Sequence, residues 1–184
     1  LAYKLDVHQE TDLAKQGKPY DSPWLKYESN TTSAGIEDVW TLAKGTELSL
    51  GYRYDRFEVT QAEEYADSAK TKIKPMTTGS AEGANNLLLT LGHDIAGQRI
   101  YAGAALKTRF PTLKELYSYR LGRAIPNPEL GAEQVTHFEL GARGKVGMVS
   151  YNAALFYASL KDAIESVSIT PSLTQMQNVG DATN

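Results

Sequence analysis

Residues 107–143 read KTRFPTLKELYSYRLGRAIPNPELGAEQVTHFELGAR. The segment ends one alternating stretch at Lys107–Arg109 and crosses a polar connection holding Phe110-Pro111-Thr112-Leu113 and Asn127-Pro128-Glu129-Leu130. It then enters a second alternating stretch around Phe138, Leu140 and Ala142. Two strands joined by a long polar link rather than a tight turn are uncommon in a compact soluble domain. The meaning of that link decides the fold.

Outward from it, the dominant period is two, as expected of strands with two different faces. Leu1, Tyr3, Leu5 and Val7 alternate with Ala2, Lys4, Asp6 and His8. Ala34, Ile36, Trp40 and Leu42 form an apolar face, with Asp38 intruding on it and Val39 on the other side. Leu48, Leu50, Tyr52 and Tyr54 oppose Glu47, Ser49, Gly51, Arg53 and Asp55. Leu87, Leu89 and Leu91 follow, then Ile100, Ala102, Ala104, Leu106 and Phe110 against Arg99, Lys107 and Arg109. Val149, Tyr151, Ala153, Leu155 and Tyr157 lead to a stretch from Ile164 to Ile169 expected to continue the same sheet, and a last partial strand is expected from Met176. The count is about eight strands, with no long helix.

Short and long links alternate. Lys44-Gly45, Ile95 to Gln98 and Gly144 to Gly147 are glycine-bearing turns. Glu10 to Thr31, Gln61 to Ala84 and Pro111 to Gln134 are long and polar. A transmembrane barrel has this asymmetry, because one rim carries turns and the other carries loops. Arg53, Arg99, Lys107, Arg109 and Arg143 all fall on polar faces. A register slip of one residue would turn each to lipid at a cost of roughly 2–4 kcal/mol near the midplane. Trp40, Tyr52, Tyr54, Phe57, Tyr101, Phe110, Tyr151, Phe156 and Tyr157 are the candidates for aromatic girdles at the two interfaces.

Composition narrows the class. The 184 residues carry a net charge of -3 with mixed signs, so no basic field favours nucleic acid. Absence of cysteine excludes disulfides, zinc-thiolate sites and iron-sulfur clusters. No apolar run is long enough for a transmembrane helix, a criterion that does not apply to strands. Leu1 opens directly in alternation, with no basic start or apolar leader, so the sequence is expected to be an internal or processed segment.

The phrases Phe110-Pro111-Thr112-Leu113, Glu115-Leu116-Tyr117, Asn127-Pro128-Glu129-Leu130 and Glu139/Gly141/Arg143 resemble the barrel of TonB-dependent outer-membrane receptors. That family writes F-x-A-P-T-L-x-E-L-Y, then N-P-x-L-x-P-E, then E-x-G-x-R. Here Pro111 follows Phe110 directly, and Ala132 stands where proline usually precedes Glu133. Trp40 with Gly51, Arg53, Tyr54 and Asp55 is similar to the family's tryptophan, turn, G-x-R-Y-D hairpin. Asn178-Val179-Gly180 is similar to its N-V-G phrase.

The resemblance implies an all-β fold: an antiparallel up-and-down transmembrane β-barrel segment, about eight strands of a barrel of about 22. Residues 1–184 are expected to be part of one barrel domain, with the plug domain and final strand outside them. It implies active uptake of a ferric siderophore or cobalamin across the outer membrane of a Gram-negative bacterium. Energy would come from the TonB complex through the plug and an N-terminal segment. Outer-membrane lipid is an implied partner; no enzyme activity, cofactor or resident metal is implied. Haem receptors of the family place a histidine between the F-x-A-P and N-P-x-L phrases, and residues 112–126 hold none.

Ligand contacts are expected on the outward loops and upper lumen. The candidates are Trp24, Tyr27, Tyr65, Tyr117, Tyr119 and Arg120, which combine flat apolar surfaces with donors. Thr112 with Glu115 is a capping-box spacing that would start one turn of helix, with Leu113, Leu116 and Tyr117 packed inward. His8, His93 and His137 are scattered; His137 and Glu139 share a face with Arg143, where a polar ladder is the expected arrangement. No catalytic motif is present. The competing readings are a passive porin or adhesin barrel and a soluble β-sheet binding domain.

Overall fold

The computed structural model describes residues 1–11 and 22–183. Its strands are β1 (Ala2–Glu10), β2 (Leu25–Ala43), β3 (Thr46–Gln61), β4 (Glu63–Tyr65), β5 (Ile73–Pro75), β6 (Glu82–Ile95) and β7 (Gln98–Arg109). These are followed by β8 (Ala124–Ile125), β9 (Glu133–Val146), β10 (Val149–Lys161), β11 (Ile164–Thr170), β12 (Leu173–Asn178) and β13 (Ala182–Thr183). A short helix, α1 (Leu113–Tyr117), and a 3-10 turn, Arg120–Gly122, lie between β7 and β8. Eight strands form one antiparallel half-barrel sheet in the order β1-β2-β3-β6-β7-β9-β10-β13.

Register confirms the alternation strand by strand. Leu50 faces Leu89, Leu89 faces Ala104, Ala104 faces Phe138 and Phe138 faces Tyr157, so one apolar row crosses five strands. The opposite face sets Arg99 beside Arg143 and Arg109 beside Glu133. The apolar face is open: Leu89 is 43 %, Leu140 57 % and Leu155 77 % exposed. The polar face is the one that the long connections cover, and it is called inner here. Asp38 stays on the outer face, where its carboxylate accepts the Val39 N–H at 2.8 Å.

All three short turns lie at one end of the sheet and the long connections at the other. Ala96 and Gly97 both have positive φ (50° and 78°), the backbone of a type I′ turn that suits the twist of a two-residue hairpin. The turn after β9 is Gly147-Met148; Gly144 belongs to the strand.

Three expectations are corrected. The stretch from Ile164 does not continue the main sheet: β11 pairs with β12, which pairs in parallel with β8, in a separate sheet over the loop end. The eighth strand is β13, placed on β10 through Ser159–Thr183 and Leu160–Ala182. The β1–β2 link is shorter than expected, because strand structure resumes at Leu25; its residues 12–21 lie outside the described residues. Polar composition hid this extension, since Lys26, Glu28, Asn30 and Thr32 alternate with Leu25, Tyr27 and Ser29 above the apolar belt.

The girdle set also divides by face. Tyr52, Tyr54, Trp40 and Tyr157 are outward, while Tyr101 and Phe156 are inward by register. Phe57 is inward as well, and Phe110 lies past the end of β7, stacked on Phe57 with ring centroids 5.3 Å apart.

Candidate functional site

The described core sits at the loop end of the inner face. Alternation on β2 and β3 presents Leu25, Tyr27, Phe57 and Val59 inward, and the β7–β9 connection lays Leu113, Leu116, Tyr117 and Leu130 over them. Tyr65, Met76, Phe110, Tyr119, Ile164 and Met176 close its edge. Three connections, β3–β6, β7–β9 and β10–β13, thus share one apolar cluster, which fixes these loops relative to the sheet.

The helix begins as the capping-box spacing requires. Glu115 N–H donates to Thr112 Oγ1 at 3.3 Å, and Thr112 N–H donates to Glu115 Oε2 at 2.8 Å. The same carboxylate receives Arg109 Nη1 at 3.0 Å, while Arg109 Nε donates to Glu133 Oε1 at 2.6 Å. Glu133 Oε2 in turn accepts the Ile164 N–H at 3.1 Å. Arg109 therefore ties the end of β7 to α1 and to the start of β9. Burial acts to raise the Glu115 carboxyl, but the Thr112 backbone and hydroxyl donors and the Arg109 guanidinium outweigh it and hold it below the usual carboxylate range.

Two asparagines from the recognised phrases lock the remaining loops. Asn127 Nδ2 donates to the Met176 carbonyl at 2.9 Å, and its backbone N–H donates to the Leu116 carbonyl at 2.8 Å. Asn178 meets Gly131 as one peptide meets another: its Oδ1 accepts the Gly131 N–H at 2.9 Å and its Nδ2 donates to the Gly131 carbonyl at 3.1 Å. The N-P-x-L-G and N-V-G phrases are thus two halves of one contact.

Of the six candidate ligand residues, four converge. Tyr27 and Tyr117 are fully buried and stacked, with centroids 5.3 Å apart. Tyr65 donates to the Pro23 carbonyl at 3.1 Å, and Tyr119 donates to Glu64 Oε2 at 3.4 Å. Burial, then the nearby Glu64 carboxylate, push the Tyr119 hydroxyl up to about 12. Trp24, 59 % exposed, and Arg120, exposed with φ 44°, stand outside this cluster on the surface. Sequence reading did not find Arg109, Asn127 and Asn178 as the joints of the rim. The signal available for them was the motif phrases themselves, which place these residues where loops meet.

Two concavities open on the inner side. One of about 430 Å³ lies beneath α1, lined by Lys4, His8, Thr31, Phe57, Arg109 and Lys114 among others. A second, of about 660 Å³, runs along the inner wall past Gly35, Arg53, Asn86 and Lys107. The expected ladder of His137, Glu139 and Arg143 takes a different form: Glu139 accepts the Tyr101 hydroxyl at 2.7 Å, and His137 stacks on Phe156. Among the described residues, no group of three or more His, Asp or Glu side chains is placed to hold a metal.

Comparison with known proteins agrees with this architecture. The copper transporter OprC superposes with a TM-score of 0.72 at 22% identity, over 98% of this chain and 31% of that one. The hemophore receptor HasR of Serratia marcescens, in complex with its hemophore HasA and heme, gives 0.67 at 14% identity over 97% and 34%. The FrpB iron transporter of Neisseria meningitidis gives 0.63 at 18% identity over 86% and 23%. At such identities the likeness is one of fold, and the chain spans about a third or less of these proteins. A comparison with curated proteins finds no match. The family model described as "TonB dependent receptor-like, beta-barrel" matches residues 3–184, the whole half-barrel with its loop clamp, and the chain belongs to that family.

Proposed function

We propose that this chain forms part of the wall and outward loops of a TonB-dependent receptor that imports a ferric siderophore or cobalamin across a Gram-negative outer membrane. The observation that carries the reading is the two-faced sheet: an exposed apolar belt outside, charges inside, and the described long connections packed onto the inner face at one rim. Such a belt is a large liability in water and the expected surface in lipid.

Binding is assigned to the loop end. Trp24 and Arg120 offer an exposed ring and an exposed guanidinium, and Tyr65 and Tyr119 line the edge of the cluster that Tyr27 and Tyr117 stiffen. The reading gives these residues no chemical step; they bind and release, and energy reaches the receptor through the plug and TonB. Expression of the full-length receptor in a Gram-negative strain lacking its own receptors tests this. Accumulation of radiolabelled iron-siderophore or cobalamin that stops on deletion of TonB supports the reading. Accumulation independent of TonB points to a passive porin, and failure to fractionate with the outer membrane points to a soluble sheet. Copper, iron and heme occur in the names of the structural neighbours, so copper and heme belong in the same screen.

A further inference from the structure

The outer face has a furrow. On β7 the outward side chains Ala102 and Ala104 lie between Leu91 and Leu89 of β6 on one side and Leu140 and Phe138 of β9 on the other. Toward the loops the furrow passes Leu106 and ends where β6 and β7 part. Their ladder runs from Ile95–Gln98 to Leu87–Leu106 and stops there. Yet β6 stays paired with β3 as far as Glu82, and β7 stays paired with β9 as far as Arg109. Asn86 Oδ1 takes the Thr108 N–H at 2.6 Å in place of a continued ladder.

The gap opens into a cleft of about 310 Å³ lined by Asn85, Leu106, Thr108, Gln134 and Lys161, with Glu82 and Asp162 at its margin. Thr108 Oγ1 is buried there without a partner among the described residues. By register Asn85, Thr108 and Thr136 are the first polar outward residues beyond Leu87, Leu106 and Phe138, and Gln134, beside Thr108, is the next on β9. This is the height at which hydrocarbon gives way to headgroups.

We propose that furrow and cleft together hold one glycolipid of the surrounding leaflet, its acyl chain over Ala102 and Ala104 and its sugar headgroup in the cleft. The inference rests on the membrane reading above. From Ala102 to Thr108 the strand rises about 20 Å, somewhat more than the roughly 15 Å half-thickness of a bilayer core, so a chain lying in the furrow brings its headgroup to the cleft. The lining mixes donors and acceptors, one lysine with two carboxylates at the margin. Sugar hydroxyls, which both donate and accept, match that set; a phosphate would meet net negative charge.

The test uses the full-length receptor in mild detergent, titrated with monoglucosyl diacylglycerol or with phosphatidylglycerol of the same chains and followed by native mass spectrometry. Wild type should bind one glucolipid at least tenfold more tightly than phosphatidylglycerol. Ala104→Trp, which fills the furrow with another apolar side chain, should weaken glucolipid binding at least tenfold, and Leu155→Trp, the same bulk elsewhere on the belt, should leave it unchanged. Equal binding by wild type and Ala104→Trp, equal loss in both variants, or equal affinity for the two lipids overturns the proposal. Flotation of the receptor with vesicles is read in parallel: a receptor that floats but fails these comparisons refutes the lipid site alone, whereas one that does not float refutes the membrane reading and the site with it.

Discussion

Tyr27 of β2 and Tyr117 of α1 lie ring on ring, 10° from parallel with centroids 5.3 Å apart, and neither has exposed surface. Their stack joins the wall to a loop that leaves the sheet at β7. Tyr27 Oη is buried with no hydrogen-bond partner among the described residues. Ring and hydroxyl therefore separate in a mutant pair. Tyr27→Ala should cost about 3–5 kcal/mol, the loss typical of a buried ring. Tyr27→Phe should be neutral or stabilising by about 1 kcal/mol, because it removes a polar group that gains nothing from burial. Thermal unfolding of the full receptor, with trypsin cleavage at Arg120 and Arg123 as the local probe, measures both.

The Arg109 clamp has a defined pH dependence. Glu115 titrates below the usual carboxylate range in the folded loop, so its contribution is fully present above the unfolded value and is lost as pH falls through the folded one. Protonation removes the charge that holds Arg109 Nη1 and weakens the cap on α1. Proteolysis of the β7–β9 loop should rise as pH drops below about 4.3, while Glu115→Gln should be sensitive at neutral pH already and show a smaller acid step, that left by Glu133 on Arg109 Nε. Arg109 is partly exposed, so the clamp is worth only about 1 kcal/mol after solvent screening. A pH-independent digestion pattern in the wild type would refute the account.

Much of the sheet was legible because a period of two with one apolar face leaves little freedom of register. Leu50, Leu89, Ala104 and Phe138 fall on one face in the sequence and in the ladder alike. Legibility failed where lipid stops selecting the outer face. Lys26 to Thr31 are strand by pairing with β1, yet they read as polar loop, and Ile164 to Ile169 read as wall although they pair with β12 above it. The site was half legible. Aromatic loop residues were found, but which of them turn inward depends on where β7 stops, and the alternation extended Phe110 past that point onto the wrong face.

Gly141 makes room for a ring. A Cβ built on it would lie 2.3 Å from Tyr101 Cζ, whose hydroxyl reaches Glu139 across the same strand pair. Gly141→Ala should cost about 1–3 kcal/mol through displacement of that ring, and most of the cost should vanish in a Tyr101→Ala background. A double-mutant cycle in urea measures the coupling; additivity would mean that the ring yields freely.

Leu89 and Thr90 are neighbours on β6 with opposite fates. Leu89 meets Leu50 and Ala104 on the apolar belt, while Thr90 meets Ser49 and Gly103 on the inner face. In a bilayer Leu89→Arg places a charge in hydrocarbon and should cost about 2–4 kcal/mol, whereas Thr90→Arg faces the polar side and should cost less than about 1 kcal/mol. A soluble sheet predicts the reverse order, because Leu89 is 43 % exposed and arginine would relieve an apolar patch in water. Folding equilibria of the full receptor into phospholipid vesicles, compared at the two positions, separate these cases by sign. A smaller loss at Leu89 than at Thr90 would remove the belt from the membrane, and the transport reading with it.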